Sequence, residues 1–371
     1  MNKHIVLTGG GTAGHVTPNL ALIEVFQQEG WQIDYIGSVD GVEKKMIMSI
    51  DVPYHAVRCG KLRRYFSWQN FMDPFNLLAG IVQAYFLLRK LKATIVFSKG
   101  GFVALPVVIA AWLNRIPVIA HESDLSPGLA NRLCFPFVNT ICVTFDAGKH
   151  YFKRQDKVSV TGTPIRQQLL SGNAANGLAL CGFNAQMPVL LVIGGSQGAS
   201  SINACIRQSL DSLSQHFQVI HLCGKGKIDP ALESRAGYCQ FEYADETLAD
   251  LLAAAYLVVS RAGANSLYEI LALEKPHVLI PLSRQYSRGD QIENAHYFQK
   301  QGISVVVDEV LLTSKTLLAA IDEVVANRDV IIAKIKALHI ESATARIVEM
   351  IKLKVTPQVR HPERSEGSLI D

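Results

Sequence analysis

Between Ser260 and Ala295 the chain carries residue types suited to holding a phosphorylated sugar. They are a small-residue turn at Ala262-Gly263-Ala264, an acid at Glu269, and Asp290-Gln291 beyond a polar loop. Apolar residues Leu257 to Val259 end in Ser260-Arg261, so the turn opens a helix directly behind a strand. The first N–H groups of such a helix lack intrahelical partners and sit at the positive end of its dipole. Phosphate oxygens satisfy both needs, and Gly and Ala let them approach the backbone closely. Glu269 lies too far into the helix to serve a phosphate and would repel one. Either it is a solvated helix residue, or it accepts hydrogen bonds from two vicinal ribose hydroxyls, each worth roughly 1.5–3 kcal/mol because the acceptor is charged. A second strand, His277 to Ile280, ends at Pro281, and Asp290-Gln291 starts a further helix. Two such junctions in a row suit a ligand with a pyrophosphate and several hydroxyls, as in a nucleotide sugar.

Other constellations lie outside this stretch. His15 closes the glycine loop Gly9-Gly10-Gly11-Thr12-Ala13-Gly14, where a helix N-terminus lowers proton affinity. It reads as a neutral base or hydrogen-bond partner, or else as a cap. Ser98-Lys99-Gly100-Gly101-Phe102 is another strand-to-helix glycine junction, either a close-packed turn or a ligand-facing loop. His121-Glu122-Ser123-Asp124 leaves the strand end at Ala120, and strand carboxyl ends of open α/β sheets are where ligands sit. We read that run as part of a site, although His121 and Glu122 could instead hold the loop together. Arg166 could pair with phosphate or form a surface ion pair. Within the opening stretch itself, Arg284 and Arg288 are two cations on the polar loop before Asp290-Gln291, which could otherwise be a mobile loop.

These residues need strands and helices in alternation, and the pattern supplies them. Strands are expected at His4–Thr8, Gln32–Ile36, Thr94–Phe97, Pro117–Ala120 and Thr140–Val143. Helices are expected at Pro18–Gln28, Phe75–Leu91 and Phe102–Leu113. A short strand at Lys157–Val160 meets the turn Thr161-Gly162-Thr163-Pro164, read as a linker. The pattern then restarts at Pro188–Ile193, whose strand leads into Gly194-Gly195-Ser196-Gln197-Gly198-Ala199. Neither glycine loop has the full dinucleotide fingerprint with its ribose-binding acid, which argues against an NAD enzyme. One such loop heading each half argues for twin Rossmann-like domains, an α/β fold with parallel sheets around a shared cleft. Helices are expected at Lys315–Asn327 and across Val330–Leu353, and a disordered tail over 357–371.

Composition narrows the class. With 371 residues, the chain exceeds the roughly 250–300 residues at which single cores stop growing. The net charge of +4 argues against a dedicated nucleic-acid binder. Seven cysteines without a CxxC pair suggest reduced core thiols rather than disulfides or metal ligands. Lys3-His4 runs directly into a strand and a glycine loop, so no signal peptide is expected. The longest apolar run, Phe102 to Leu113, contains Pro106 and falls short of the ~20 residues of a spanning helix. The expectation is a soluble or peripheral protein. One surface suits membrane contact: Lys61-Leu62-Arg63-Arg64-Tyr65-Phe66, then a helix with Phe75, Leu78, Val82, Tyr85 and Phe86, closed by Arg89-Lys90-Leu91-Lys92. The alternative is an amphipathic helix packed on its own sheet.

In order, GGGTAGH, SKGGF, HESDLSPGLANR, TGTPIR, GGSQGA, SRAGANSLYE and RGDQIENA resemble the MurG family, bacterial N-acetylglucosaminyltransferases that convert lipid I to lipid II in peptidoglycan synthesis. The resemblance covers nearly the whole chain apart from the tail. It implies the GT-B fold, with an acceptor- and membrane-side domain over 1–163, a UDP-GlcNAc domain over 164–341, and a last helix at 342–353 returning to the first. It further implies that Thr12, Ala13, Gly14 and His15 line the cleft beside the donor sugar and the acceptor pyrophosphate. Ser196 and Arg166 would contact the donor, and backbone near Ala244 would meet uracil. Ala264, Asn265 and Ser266 would hold the phosphate end, with Leu267 and Tyr268 in the same substrate-binding run, and Glu269 would bind ribose. Gln291, with Asp290, would read the sugar hydroxyls. No metal and no cofactor is implied. The chain departs from the family pattern at Asp124, where HEQN is common, and at Thr163, Ala13 and Asp290. An acid at 124 accepts from hydroxyls but cannot donate as an amide would.

The implied reaction is attack of the muramyl 4-hydroxyl of lipid I on the anomeric carbon of UDP-N-acetylglucosamine, with inversion and loss of UDP. His15, then Asp124, are the candidate bases. Because lipid I is membrane-embedded, the expected partners include an anionic membrane surface at the cytoplasmic face of the inner membrane and other cell-wall synthesis proteins, linking the chain to cell shape and division. Competing expectations are another GT-B enzyme, such as a diacylglycerol glycosyltransferase or a UDP-N-acetylglucosamine epimerase, and a non-catalytic UDP-sugar-binding scaffold.

Overall fold

The computed structural model describes residues 3–60, 69–195 and 198–355, with no side chains for 69–72. Two parallel sheets carry the fold. The first holds β1 (His4–Thr8), β2 (Gln32–Ser38), β3 (Tyr54–Val57), β4 (Ile95–Ser98), β5 (Val118–Glu122), β6 (Thr140–Val143) and β7 (Val158–Val160), in the order β3-β2-β1-β4-β5-β6-β7. The second holds β8 (Val189–Ile193), β9 (Gln218–Leu222), β10 (Tyr238–Phe241), β11 (Leu257–Ser260), β12 (His277–Leu279) and β13 (Val305–Val306), in the order β10-β9-β8-β11-β12-β13. Every pairing is parallel. Strands covered by helices on both faces read as continuous apolar runs, and β1, β4 and β8 are of that kind.

In each sheet the strand order reverses beside the first strand, between β1 and β4 and between β8 and β11. Crevices outside the carboxyl ends of strands form at such switch points. The loops after β1, β4, β5, β8, β11 and β12 therefore converge, and they contain nearly all the residues singled out by sequence. The loops after β1 and β4 also touch. Gly10 N–H donates to Gly100 O at 3.2 Å, and Gly101 has φ +83 with its Cα against the Gly10 carbonyl, where a Cβ would collide.

The expected helix across Val330–Leu353 is two helices, Arg328–Ala337 and Thr344–Val355. The first buries Ile331 and Ile335 in the core of the second sheet. The other buries Ile347, Val348 and Ile351 against Ile5, Leu22, Phe26 and Phe97 beneath the first. One straight helix cannot serve two cores, and the break follows at His339, which has φ 47. Ser342 then anchors the crossing, accepting from Ile165 N–H and donating to Ile165 O, each at 3.0 Å.

Candidate functional site

The first wall of the cleft begins where β1 ends. After the glycines, Ala13–His15 forms a short 3₁₀ turn ahead of the helix Thr17–Gln28. His15 Nδ1 lies 3.1 Å from Thr12 Oγ1. If Nδ1–H donates to that hydroxyl, Nε2 is left as an acceptor. His15 is only partly exposed, and its pKa is pushed down to about 4. Burial is the main cause, followed by the Lys99 cation and, more weakly, Arg288, against opposing pulls from Asp124 and the Gly10 carbonyl. The ring is therefore neutral at neutral pH, so that one of its nitrogens keeps a lone pair.

Lys99, 1% exposed, is the side chain that sequence reading passed over. Burial pushes its pKa down to about 8, while Glu122 and Asp124 hold it up. Its Nζ donates to Ser123 Oγ at 2.5 Å. Ser123 in turn donates to Asn265 Oδ1 at 2.8 Å, and Asn265 Nδ2 donates to Gly14 O at 2.6 Å. A chain of hydrogen bonds thus runs from the first wall to the second and back. The only signal for Lys99 in the sequence was a lysine inside a glycine turn.

The loop after β5 divides its polar residues between two tasks. His121 is fully buried, with Nε2 2.8 Å from Gly162 O. Glu122 accepts from the N–H groups of Asp124 and Gly128, at 3.1 and 3.0 Å, and from Asn131 Nδ2 at 2.9 Å. These two hold the loop together, the alternative that the sequence had left open for them, and only Asp124 of the run's two acids faces the cleft. Asp124 reaches across the cleft, accepting from Arg288 at 2.8 Å and from Asn294 Nδ2 at 3.0 Å. Asn294 also accepts from Leu125 N–H, a role that its place in the motif RGDQIENA did not disclose.

The second wall is built on β11. Arg261 does not face a ligand: it donates to Ile280 O at 3.0 Å and pairs with Glu309, tying the ends of β11 and β12 together. The helix Ala264–Ala272 follows, with Gly263 at its N-cap and no side chain capping it, so first-turn N–H groups stay available. Leu267 and Tyr268 are 0% and 7% exposed and their side chains pack in the core, which leaves their backbone as the part that faces the cleft. The Asn265 side chain is spent on the first wall.

Glu269 is partly exposed and makes no hydrogen bond or ion pair with a described residue. Burial pushes its pKa up to about 7, against the pull of Arg166. The Nε of Arg166 is likewise buried without a partner among the described residues. Gln291 Oε1 accepts from Leu282 N–H at 3.0 Å, and Asp290 lies 3.6 Å from Arg288 Nε. Ala244 is 9% exposed, in the loop beyond β10. Ser196 lies outside the described residues, as do Lys61 to Phe66 and the tail. A recess of about 350 Å³ around Cys181 and Cys239 shares no residue with this site. Among the described residues, no group of three or more His, Cys, Asp or Glu could hold a metal ion.

Comparison with known proteins agrees with this geometry. Residues 5–143 match the glycosyltransferase family 28 N-terminal domain, and residues 189–351 match its C-terminal domain. A UDP-N-acetylglucosamine--N-acetylmuramyl-(pentapeptide) pyrophosphoryl-undecaprenol N-acetylglucosamine transferase of Legionella pneumophila (strain Paris) is 66% identical over 95% of this chain and 97% of its own. The Clostridium botulinum (strain 657 / Type Ba4) protein of the same name is 52% identical over 94% and 99%. The crystal structure of Acinetobacter baumannii MurG, 24% identical, aligns over 95% of this chain and 99% of its own with a TM-score of 0.74, which speaks to the fold. The fold is GT-B, and the chain belongs to the MurG family within glycosyltransferase family 28.

Proposed function

We propose that this chain transfers N-acetylglucosamine from UDP-N-acetylglucosamine to the muramyl 4-hydroxyl of lipid I, forming the β-linked lipid II of peptidoglycan synthesis. The observation that carries the reading is the pairing of a neutral His15 on one wall with three features of the other: an Arg166 Nε and a Glu269 carboxylate without partners among the described residues, and an open helix N-terminus. The second wall, 164–341, takes the donor. N–H groups of Ala264, Asn265 and Ser266 meet the diphosphate, Arg166 neutralises charge growing on the β-phosphate, and Glu269 accepts from the ribose hydroxyls. Ala244, whose peptide groups make no hydrogen bond with described residues, offers both a donor and an acceptor to uracil. Gln291 keeps its amide N–H groups for the sugar while its oxygen holds Leu282, with Asp290 alongside.

The first wall, 1–163 with the returning helix at 342–353, takes the acceptor. Thr12, Ala13 and Gly14 flank the reacting groups, and His15 accepts the proton as the 4-hydroxyl attacks the anomeric carbon. The C–O bond to UDP breaks and the configuration inverts. Asp124 is the weaker candidate base because both its oxygens already accept hydrogen bonds.

Lipid I resides in a membrane, so the first wall must reach one. On the helix Gln69–Leu91, Phe75, Leu78, Val82 and Phe86 are 68%, 61%, 55% and 65% exposed, along one face at helical spacing. Exposed Arg89 and Lys90 close that helix, each cation worth roughly 1 kcal/mol near an anionic leaflet. No helix among the described residues is long and apolar enough to cross a membrane. Peripheral docking on the cytoplasmic leaflet follows, where other cell-wall synthesis proteins are further candidate partners. The test of the reaction is transfer of radiolabelled N-acetylglucosamine to a short-chain lipid I analogue. Label in a β-linked disaccharide product is expected, and donor binding without transfer would overturn the reading.

A further inference from the structure

Beside the clasp between Asp124 and Arg288 lies a recess of about 340 Å³ lined by Ser126, Pro127, Arg132, Tyr151 and Arg288. That volume is at the small end of the roughly 300–1,000 Å³ typical of ligand sites. Its donors are largely unused. Arg132 is exposed on the helix Leu129–Cys134 and makes no hydrogen bond or ion pair with a described residue. The same holds for the hydroxyl of Tyr151, which is 46% exposed, and for that of Ser126. Arg288 comes from the opposite half and stretches over Gly128, a Cβ there lying 3.8 Å from its guanidinium carbon. Two guanidinium groups and two hydroxyls, with one acid already paired, make a site for an anion rather than for a sugar.

The position narrows the choice of anion. Arg288 is close enough to His15 for its charge to act on that ring, so the recess borders the place where the acceptor hydroxyl would react. In a muramyl acceptor the lactyl ether at C3 is next to the attacking 4-hydroxyl, and that ether carries the peptide. A peptide attached through its N-terminus presents carboxylate at its free end.

We propose that this recess binds a carboxylate of the acceptor's peptide stem, with Arg132 as the principal contact and Tyr151 and Ser126 as supporting donors. The inference rests on the acceptor assigned above. Arg132 makes the planar, two-pronged contact that carboxylate geometry matches, and Arg288 divides its charge between the stem and Asp124. The peptide then helps to orient the 4-hydroxyl toward His15.

The experiment compares two soluble lipid I analogues, one with free peptide carboxylates and one with every carboxylate amidated. Arg132→Ala is expected to raise KM for the first analogue by about tenfold, the loss of one charge-assisted hydrogen bond, while leaving KM for the second and for UDP-N-acetylglucosamine unchanged. Arg132→Lys should recover part of the loss, since it restores charge without the fork. An equal rise with both analogues would overturn the proposal and assign Arg132 to the acceptor pyrophosphate; no rise with either would also overturn it. Absence of transfer by the unaltered chain to either analogue is a different result, for it removes the reaction itself and the stem site with it.

Discussion

On the first wall, Asp124 places both carboxylate oxygens on protein partners, Arg288 and Asn294, whereas on the second wall Glu269 places neither on a described residue. The acids differ in what surrounds them more than in exposure. Asp124 sits at a strand carboxyl end within reach of cations and amides from the facing half. Glu269 is held in a helix whose neighbours are core residues, with Arg166 as the nearby cation. A saturated acid organises its surroundings, and an unsaturated one in a desolvated setting waits for a ligand. His15 and Lys99 follow the same division. His15 is neutral and open to a proton, and Lys99 is a buried cation engaged with Ser123.

This contrast can be broken at several points. The largest effect is expected at His15, where His15→Ala should lower kcat roughly 10²–10⁴-fold, the contribution of a positioned base, in steady-state transfer assays. A loss below about threefold would place the base elsewhere. Next is Glu269→Ala, for which donor KM should rise about tenfold or more while kcat at saturating donor stays near that of the unaltered chain, the signature of a lost binding contact.

A smaller effect concerns pH. With the Glu269 pKa pushed up to about 7, its ionised, hydrogen-bond-accepting form grows as pH rises through that value. Donor KM should therefore fall several-fold between about pH 6 and about pH 8, and Glu269→Gln should flatten that dependence. The smallest effect is at the clasp. Asp124 and Arg288 are 23% and 27% exposed at their side chains, so solvent screens the pair. A double-mutant cycle with Asp124→Asn and Arg288→Gln in thermal unfolding should return a coupling of about 1 kcal/mol. A coupling near zero would mean that the clasp does not hold the halves together.

Much of the fold was legible because parallel strands buried on both faces leave uninterrupted apolar runs. β1 and β6 begin and end where that pattern does, at His4–Thr8 and Thr140–Val143. The break in the last helical stretch was not legible. The residues from Val330 to Leu353 keep a helical period across it, and only the position of two separate cores shows why His339 must turn. In the site, glycine turns and strand ends located the cleft, since those positions follow from chain geometry. The partners of Asp124 did not, because Arg288 and Asn294 approach from the other half at a distance in sequence that no local spacing encodes. Leu267 and Tyr268 share a motif with Glu269, but helix rotation turns them into the core.

The central claim is that one wall binds the donor and the other activates the acceptor. Calorimetric titration of UDP-N-acetylglucosamine into the unaltered chain, His15→Ala and Glu269→Ala tests it most directly, because it reads donor affinity without chemistry. The expected result is an unchanged Kd for His15→Ala and a Kd about tenfold weaker for Glu269→Ala. Equal weakening by both, or none by Glu269→Ala, would contradict the division between the walls.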